Sequence, residues 1–236
     1  MSGNSFTFKQ FVVRQERCAM KVGTDGTLLG AWAALKQQDG RILDIGTGTG
    51  LMALMMAQRY PEAQVTAIDI DAAAVEQATE NVKDSPFTAR IEVRKADVNA
   101  FETSEPYDAI VCNPPYFDKA LTCPDNQRTQ ARHTLTLTYR QLMSAAWRLL
   151  SDKGLFSVII PNDYFQQLES EACLAGFFLT RVYSVRTVAG KPIKRYLIEL
   201  RKHPEKEFIK KDVILEDSPN LRSEWYRELT KDFYIK

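Results

Sequence analysis

"LDIGTGTGLMAL", residues 43–54, decides how this chain folds. A short apolar run reaches Asp44, three glycines follow at alternate positions (Gly46, Gly48, Gly50), and an apolar helical pattern then spans 50–60. Glycines in such a turn let a ligand approach the backbone, and the start of a helix offers N–H groups with no partner of their own. An ordinary strand-to-helix turn is the plainer reading, but three alternating glycines directly after a strand favour a nucleotide-type site. The spacing is G-x-G-x-G. The dinucleotide fingerprint would carry its third glycine one residue later, where Leu51 stands.

Outward from this turn, strand-like and helical runs alternate. Residues 41–45, 64–70, 90–96, 107–112 and 154–160 read as strands; 71–83, 139–150 and 163–175 read as helices, with Asp71 suited to capping the first. Two late runs, 179–188 and 195–202, flank the turn signal "AGKP" and read as a hairpin. Strands alternating with helices predict an α/β fold, a parallel sheet covered on both faces, here with one antiparallel strand. The expectation is a single domain over 1–236, with 1–40 as an N-terminal extension and 204–236 as a C-terminal one. The loop from Phe117 to Thr138 is long and polar, a length that usually signals function or mobility.

Composition narrows the classes. The chain has 236 residues, 44% hydrophobic, with a formal net charge of +1. No apolar run approaches the ~20 residues a bilayer span needs, and "MSGNSFTFKQ" has no apolar signal-peptide core. A cytoplasmic protein with no membrane association is expected. The four cysteines (Cys18, Cys112, Cys123, Cys173) are scattered and the histidines are two (His133, His203), a poor metal-ligand set that fits reduced thiols. Charge is segregated: residues 62–108 sum to −7, whereas 119–148 and 181–211 sum to +4 and +7. Basic segments on one side suggest an anionic partner.

Strand ends supply the remaining candidates. Asp69 lies 19 residues beyond Gly50, where a carboxylate can accept hydrogen bonds from a ribose diol; capping the next helix is the alternative, for which Asp71 competes. Asp97 ends the third strand, beside Val98, and could meet an adenine amino group. The fourth strand runs into "IVCNPPYF", residues 110–117. Two prolines donate no N–H and make a stiff loop whose carbonyls point outward unpaired. Asn113 adds an amide carbonyl and Tyr116 a flat ring. Two acceptors converging on an –NH₂ group beside a stacking surface suit a base drawn out of its stack.

These motifs, "DIGTGTG", the Asp69 strand end, "KAD" and "NPPY", resemble in order and spacing the class I S-adenosylmethionine-dependent methyltransferases that act on amino groups. The likeness covers about residues 20–203. It implies a Rossmann-like, seven-stranded, mostly parallel sheet with one antiparallel strand and helices on both faces. It further implies a cofactor site of Asp44, Gly46, Gly48, Gly50, Asp69, Asp97, Val98 and Asn113, with Asn113, Pro114 and Tyr116 holding the target amine. The opening "FTFKQFVVRQERCAMKVGTDGTLLGAW" and "RTQARHTLTLT" at 128–138 are similar to the bacterial valine-tRNA adenine-N(6) methyltransferases. In that family residues 21–26, Lys21 and Thr24 among them, lie against the cofactor. The resemblance implies methylation of the adenine 3′ of the anticodon and tRNA as partner, with no metal and no obligate protein partner. Arg128, Arg132, Lys191, Lys194 and Arg195 are the candidate RNA contacts. NPPY-type enzymes acting on protein glutamine, ribosomal RNA or DNA remain alternatives, although the chain lacks room for the extra domains some of them carry. An RNA-binding module with an inactive core and a nicotinamide oxidoreductase are further rivals.

Overall fold

A computed structural model describes residues 4–18, 20–115 and 137–235. The candidates Tyr116, Arg128 and Arg132 lie outside the described residues, as do Cys123 and His133. The chain opens with a short antiparallel pair, β1 (Ser5–Thr7) and β2 (Val12–Arg14), then helix α1 (Thr24–Trp32). The alternating core follows: β3 (Arg41–Ile45), α2 (Leu51–Arg59), β4 (Gln64–Asp69), α3 (Ala72–Lys83), β5 (Ile91–Lys95) and β6 (Tyr107–Cys112). After it come α4 (Tyr139–Leu149), β7 (Leu150–Pro161), α5 (Phe165–Leu174), β8 (Phe178–Arg186) and β9 (Arg195–Arg201). The chain closes with β10 (Ile209–Ile214), a small pair, β11 (Glu216–Ser218) and β12 (Leu221–Arg222), and α6 (Glu224–Thr230).

Among the described residues the main sheet has eight strands in the order β10-β8-β9-β7-β6-β3-β4-β5. β9 runs antiparallel to both β7 and β8, and the other neighbours are parallel. The sheet is therefore one strand wider than the seven the resemblance implies. The extra strand, "IKKDVI", comes from the C-terminal extension and pairs with the β8 edge. Its first four residues are exposed, so no apolar run announced it; charged, polar residues are what an edge strand needs to discourage pairing with another chain.

Period-two alternation splits each strand between two cores. Ile42, Ala109 and Val111 face a layer built by α1, α2, α3 and α6, whereas Leu43, Ile110 and Cys112 face α4 and α5. α2 is buried along nearly its whole length, which explains why its apolar residues outnumber a single stripe. The order of the parallel strands brings the carboxyl ends of β3, β4, β5 and β6 to one edge, with the amino end of antiparallel β9 beside them through the Pro161↔Arg195 pairing. His203 pairs with Asp152 near the start of β7, at the opposite edge.

Candidate active site

The glycine turn is left-handed at all three positions, with φ of 70° at Gly46, 55° at Gly48 and 81° at Gly50. Their surroundings differ. A Cβ on Gly46 or Gly48 would meet nothing within 4 Å, so these two face open space. A Cβ on Gly50 would come within 3.3 Å of the Ala78 Cβ. Gly50 thus starts α2 and lets α3 pack closely, while Gly46 and Gly48 keep the backbone open to a ligand. Asn81 of α3 ties the turn down by donating to the Thr49 carbonyl at 2.8 Å.

Asp44 is fully buried beneath the turn. Its Oδ2 accepts from the Thr47 hydroxyl at 2.7 Å and the Ala53 N–H at 3.1 Å, while Oδ1 has no hydrogen-bond partner among the described residues. Burial pushes its pKa up to about 7; nearby Asp69 raises it further and the two hydrogen bonds oppose the shift. A buried carboxylate with an orphaned oxygen is costly unless positive charge balances it; being fully buried, Asp44 would feel a ligand's ammonium only through the turn above it and not by contact.

Asp69, at the end of β4, accepts from the Gly48 N–H at 2.9 Å through Oδ2 and from the Asp71 N–H at 3.0 Å through Oδ1. Asp71 caps α3 by accepting from the Ala73 N–H at 3.1 Å. The expected competition between the two aspartates is resolved: Asp71 holds the helix and Asp69 is left to the glycine turn. Asp97 accepts from the Asn99 backbone and amide nitrogens at 2.9 and 2.8 Å, which turns the chain so that Val98 is buried beside it.

Two cavities flank the turn and share Gly46. The first, about 320 Å³, is walled by residues 20–26 and 46–49 together with Asn113 and Arg195. The second, about 160 Å³, is lined by Asp69, Asp97, Val98, Pro115 and Gln141 among others. The candidates Lys21, Thr24, Gly46, Gly48 and Asn113 therefore meet on one side, and Asp69, Asp97 and Val98 on the other. Pro114 is buried and lines neither cavity.

Three basic candidates fall in the described residues. Lys191 and Lys194 are exposed in a neighbouring groove that also contains Asn162 and Asp163. Arg195 lines both that groove and the first cavity, and its Nε donates to Asp25 Oδ2 at 2.6 Å. Sequence reasoning included Asp25 within 21–26 and Pro115 within the stiff loop after β6 without giving either a role of its own, and it missed Gln141. Gln141 reads as a helix start because it completes a capping box with Thr138. Asp25 has no local signal, since its partner is 170 residues away.

Neither Cys18 nor Cys112 offers an activated nucleophile. Burial, with Asp69 and Asp71 nearby, raises the Cys18 thiol to about 11, and full burial drives Cys112 well above the ordinary range. Among the described residues no group of three or more His, Cys, Asp or Glu side chains is placed to hold a metal. No described helix is long and apolar enough to cross a membrane.

Comparison with known proteins agrees with this geometry. The methyltransferase small domain model matches residues 24–181. A protein from Bacteroides thetaiotaomicron named tRNA1(Val) (adenine(37)-N6)-methyltransferase is 46% identical over 236 residues, covering 100% of this chain and 99% of its own. Among solved structures, a predicted O-methyltransferase from Agrobacterium tumefaciens superposes with a TM-score of 0.71 at 21% identity, over 89% of this chain and 96% of the other. The glycopeptide N-methyltransferase MtfA, solved with S-adenosyl-L-methionine, gives 0.52 at 13% identity over 76% and 88%. These two likenesses speak to the fold. The match of the family model over most of the sheet, with a relative nearly half identical from end to end, shows that this chain belongs to the methyltransferase small domain family, among the bacterial tRNA1(Val) (adenine(37)-N6)-methyltransferases.

Proposed function

We infer that this protein transfers a methyl group from S-adenosylmethionine to the exocyclic N6 of an adenine in tRNA, adenine 37 of valine tRNA, in the cytoplasm. The observation that carries this reading is the meeting of Asn113 with the open glycine turn in one cavity, on a chain whose relative carries that activity in its name. The residues fit the cofactor. Gly46 and Gly48 leave room at the backbone, Asp69 and Asp97 line the second cavity and are assigned the ribose and the adenine, and Asp44, buried beneath the turn, is assigned the balancing of an amino-acid ammonium through the turn and without contact. Lys21 and Thr24 close the same cavity from the N-terminal side.

When bound, S-adenosylmethionine supplies a methyl on a sulfonium sulfur, already activated for transfer. What this chain must add is alignment and charge placement. The amine of adenine is a weak nucleophile because its lone pair is delocalised into the ring. Asn113 presents an acceptor to one N–H, and the carbonyl of Pro114 is assigned the other. As the nitrogen turns tetrahedral its N–H bonds become more acidic, so these acceptors bind the transition state more strongly than the ground state. No cysteine or histidine is required. Tyr116 is assigned the stacking platform for the base. Lys191, Lys194, Arg128 and Arg132 are assigned phosphate contacts.

The test is a methyl-labelled cofactor with unmodified valine tRNA transcripts. Label should appear in N6-methyladenosine for the natural sequence and vanish when adenine 37 is replaced by guanine. Equal labelling of both transcripts would contradict the site assignment.

A further inference from the structure

We propose that Asp25 and Arg195 form a charge-balancing latch over the first cavity, fastening the 20–26 segment to the start of β9 and cancelling a guanidinium charge that would otherwise oppose a cationic cofactor held in that cavity. This inference rests on the reading of that cavity as the S-adenosylmethionine site.

Both residues line the cavity that also contains Gly46, Gly48 and Asn113. Their side chains keep only 32% (Arg195) and 18% (Asp25) of full exposure, so the pair is largely withdrawn from solvent. Charge-assisted contacts of this kind are short and strong compared with surface pairs. Each end is anchored. Arg195 is held in the ladder opposite Pro161 and Val185, and its Nη1 donates to the Lys194 carbonyl at 3.0 Å. Asp25 sits in the first turn of the nine-residue α1, where the helix dipole favours a carboxylate.

The pair is not what seats α1. Residues 27–32 of that helix are buried in the core, and Gly26 and Gly30 pack against Leu51 and Met55. The latch therefore acts on the partly buried first turn and on the cavity wall it forms. Charge sets its sign. A transferable methyl rides on a sulfonium cation, and a bare guanidinium in the same cavity would repel it. Paired with Asp25 it is neutralised, and Arg195 can order the wall without opposing the cofactor.

The test compares two ligands that differ in that charge. Calorimetry is run with S-adenosylmethionine, a sulfonium, and S-adenosylhomocysteine, its neutral thioether. Asp25→Asn should weaken the sulfonium ligand by about three- to tenfold relative to the thioether, the scale of one unit charge across a partly solvated cavity. Arg195→Gln should show no such selective loss, and the charge swap Asp25→Arg with Arg195→Asp should restore the wild-type ratio. Melting temperatures on the same samples guard against misfolding, because a purely structural pair lowers stability and affects both ligands alike. Equal loss of both ligands in Asp25→Asn, or a swap that fails to restore the ratio, overturns the latch. Failure of the wild-type protein to bind either ligand overturns the cofactor reading as well, and is recognised because it needs no variant.

Discussion

Asp44 concentrates the electrostatics of the site in one side chain. Its pKa near 7 in the fold stands against about 3.9 in an unfolded chain. Between those values the native state holds a proton that the unfolded state has released. The stability that Asp44 itself contributes is therefore fully present below about pH 4, is lost as pH rises toward 7, and changes no further above. A cofactor ammonium favours the ionised carboxylate, which reverses the trend for binding. Affinity for S-adenosylmethionine should rise as pH climbs from about 5.5 to 7 and then flatten. Asp44→Asn should remove both slopes while leaving an amide oxygen for Thr47 and Ala53. Calorimetry across this range checks the first and denaturant titration the second; a wild-type affinity that does not change below pH 7 would count against the coupling. Residues of this kind show where sequence reading stops. The alternation of glycines exposed the turn, but nothing local said that Gly50 faces Ala78 while Gly46 and Gly48 face open space. Nor did a single basic letter at 195 disclose a partner at Asp25.

At the scale of elements, the glycine turn separates stability from binding. An alanine at any of its glycines must hold a left-handed backbone, at roughly 1–2 kcal/mol per residue. Gly50→Ala also presses on Ala78, so it should lower the melting temperature more than Gly48→Ala does. Gly48→Ala puts a methyl into the open space facing the ligand, so it should lose cofactor affinity out of proportion to its stability. Thermal melts with and without cofactor measure both, and an identical pattern in the two variants would contradict the division of roles. The elements around this turn were legible because each satisfies two demands at once: apolar strands long enough to cross the sheet, and polar punctuation where they end. β3, β4, β5 and β6 fall within one or two residues of their expected bounds. β7 starts at Leu150, four residues before the expected 154, because the polar stretch "SDKG" continues the strand. β10 escaped because edge strands are selected for charge, not for an apolar run.

Across the whole molecule, the sheet gathers the two cavities, Asn113 and the basic groove along one edge, while the two ends of the described chain meet each other. Phe8 bridges to Tyr234, and the Lys9 N–H donates to the Phe233 carbonyl at 2.8 Å. The C-terminal extension thus helps to cover α1 rather than trailing from the core. The groove with Lys191 and Lys194 adjoins the cavity through Arg195. Phosphate contacts there should make tRNA binding steeply salt-dependent. Replacing Lys191 and Lys194 by glutamate should weaken tRNA binding and flatten the salt slope by about one unit for each phosphate that is no longer neutralised. An unchanged affinity and slope would remove these lysines from the interface.

The most direct measurement treats tRNA from a strain lacking this gene with the purified protein and cofactor, and maps nucleosides by mass spectrometry. The wild-type protein should add one methyl group, on N6 of adenine 37 of valine tRNA. Asn113→Ala should bind the cofactor nearly as well, yet lose about 2.7–4 kcal/mol of transition-state stabilisation, by analogy with removing one oxyanion-hole donor. That corresponds to roughly a hundred- to a thousandfold slower methylation. A methyl on another nucleoside, or full-rate methylation by a folded Asn113→Ala protein, would contradict the account.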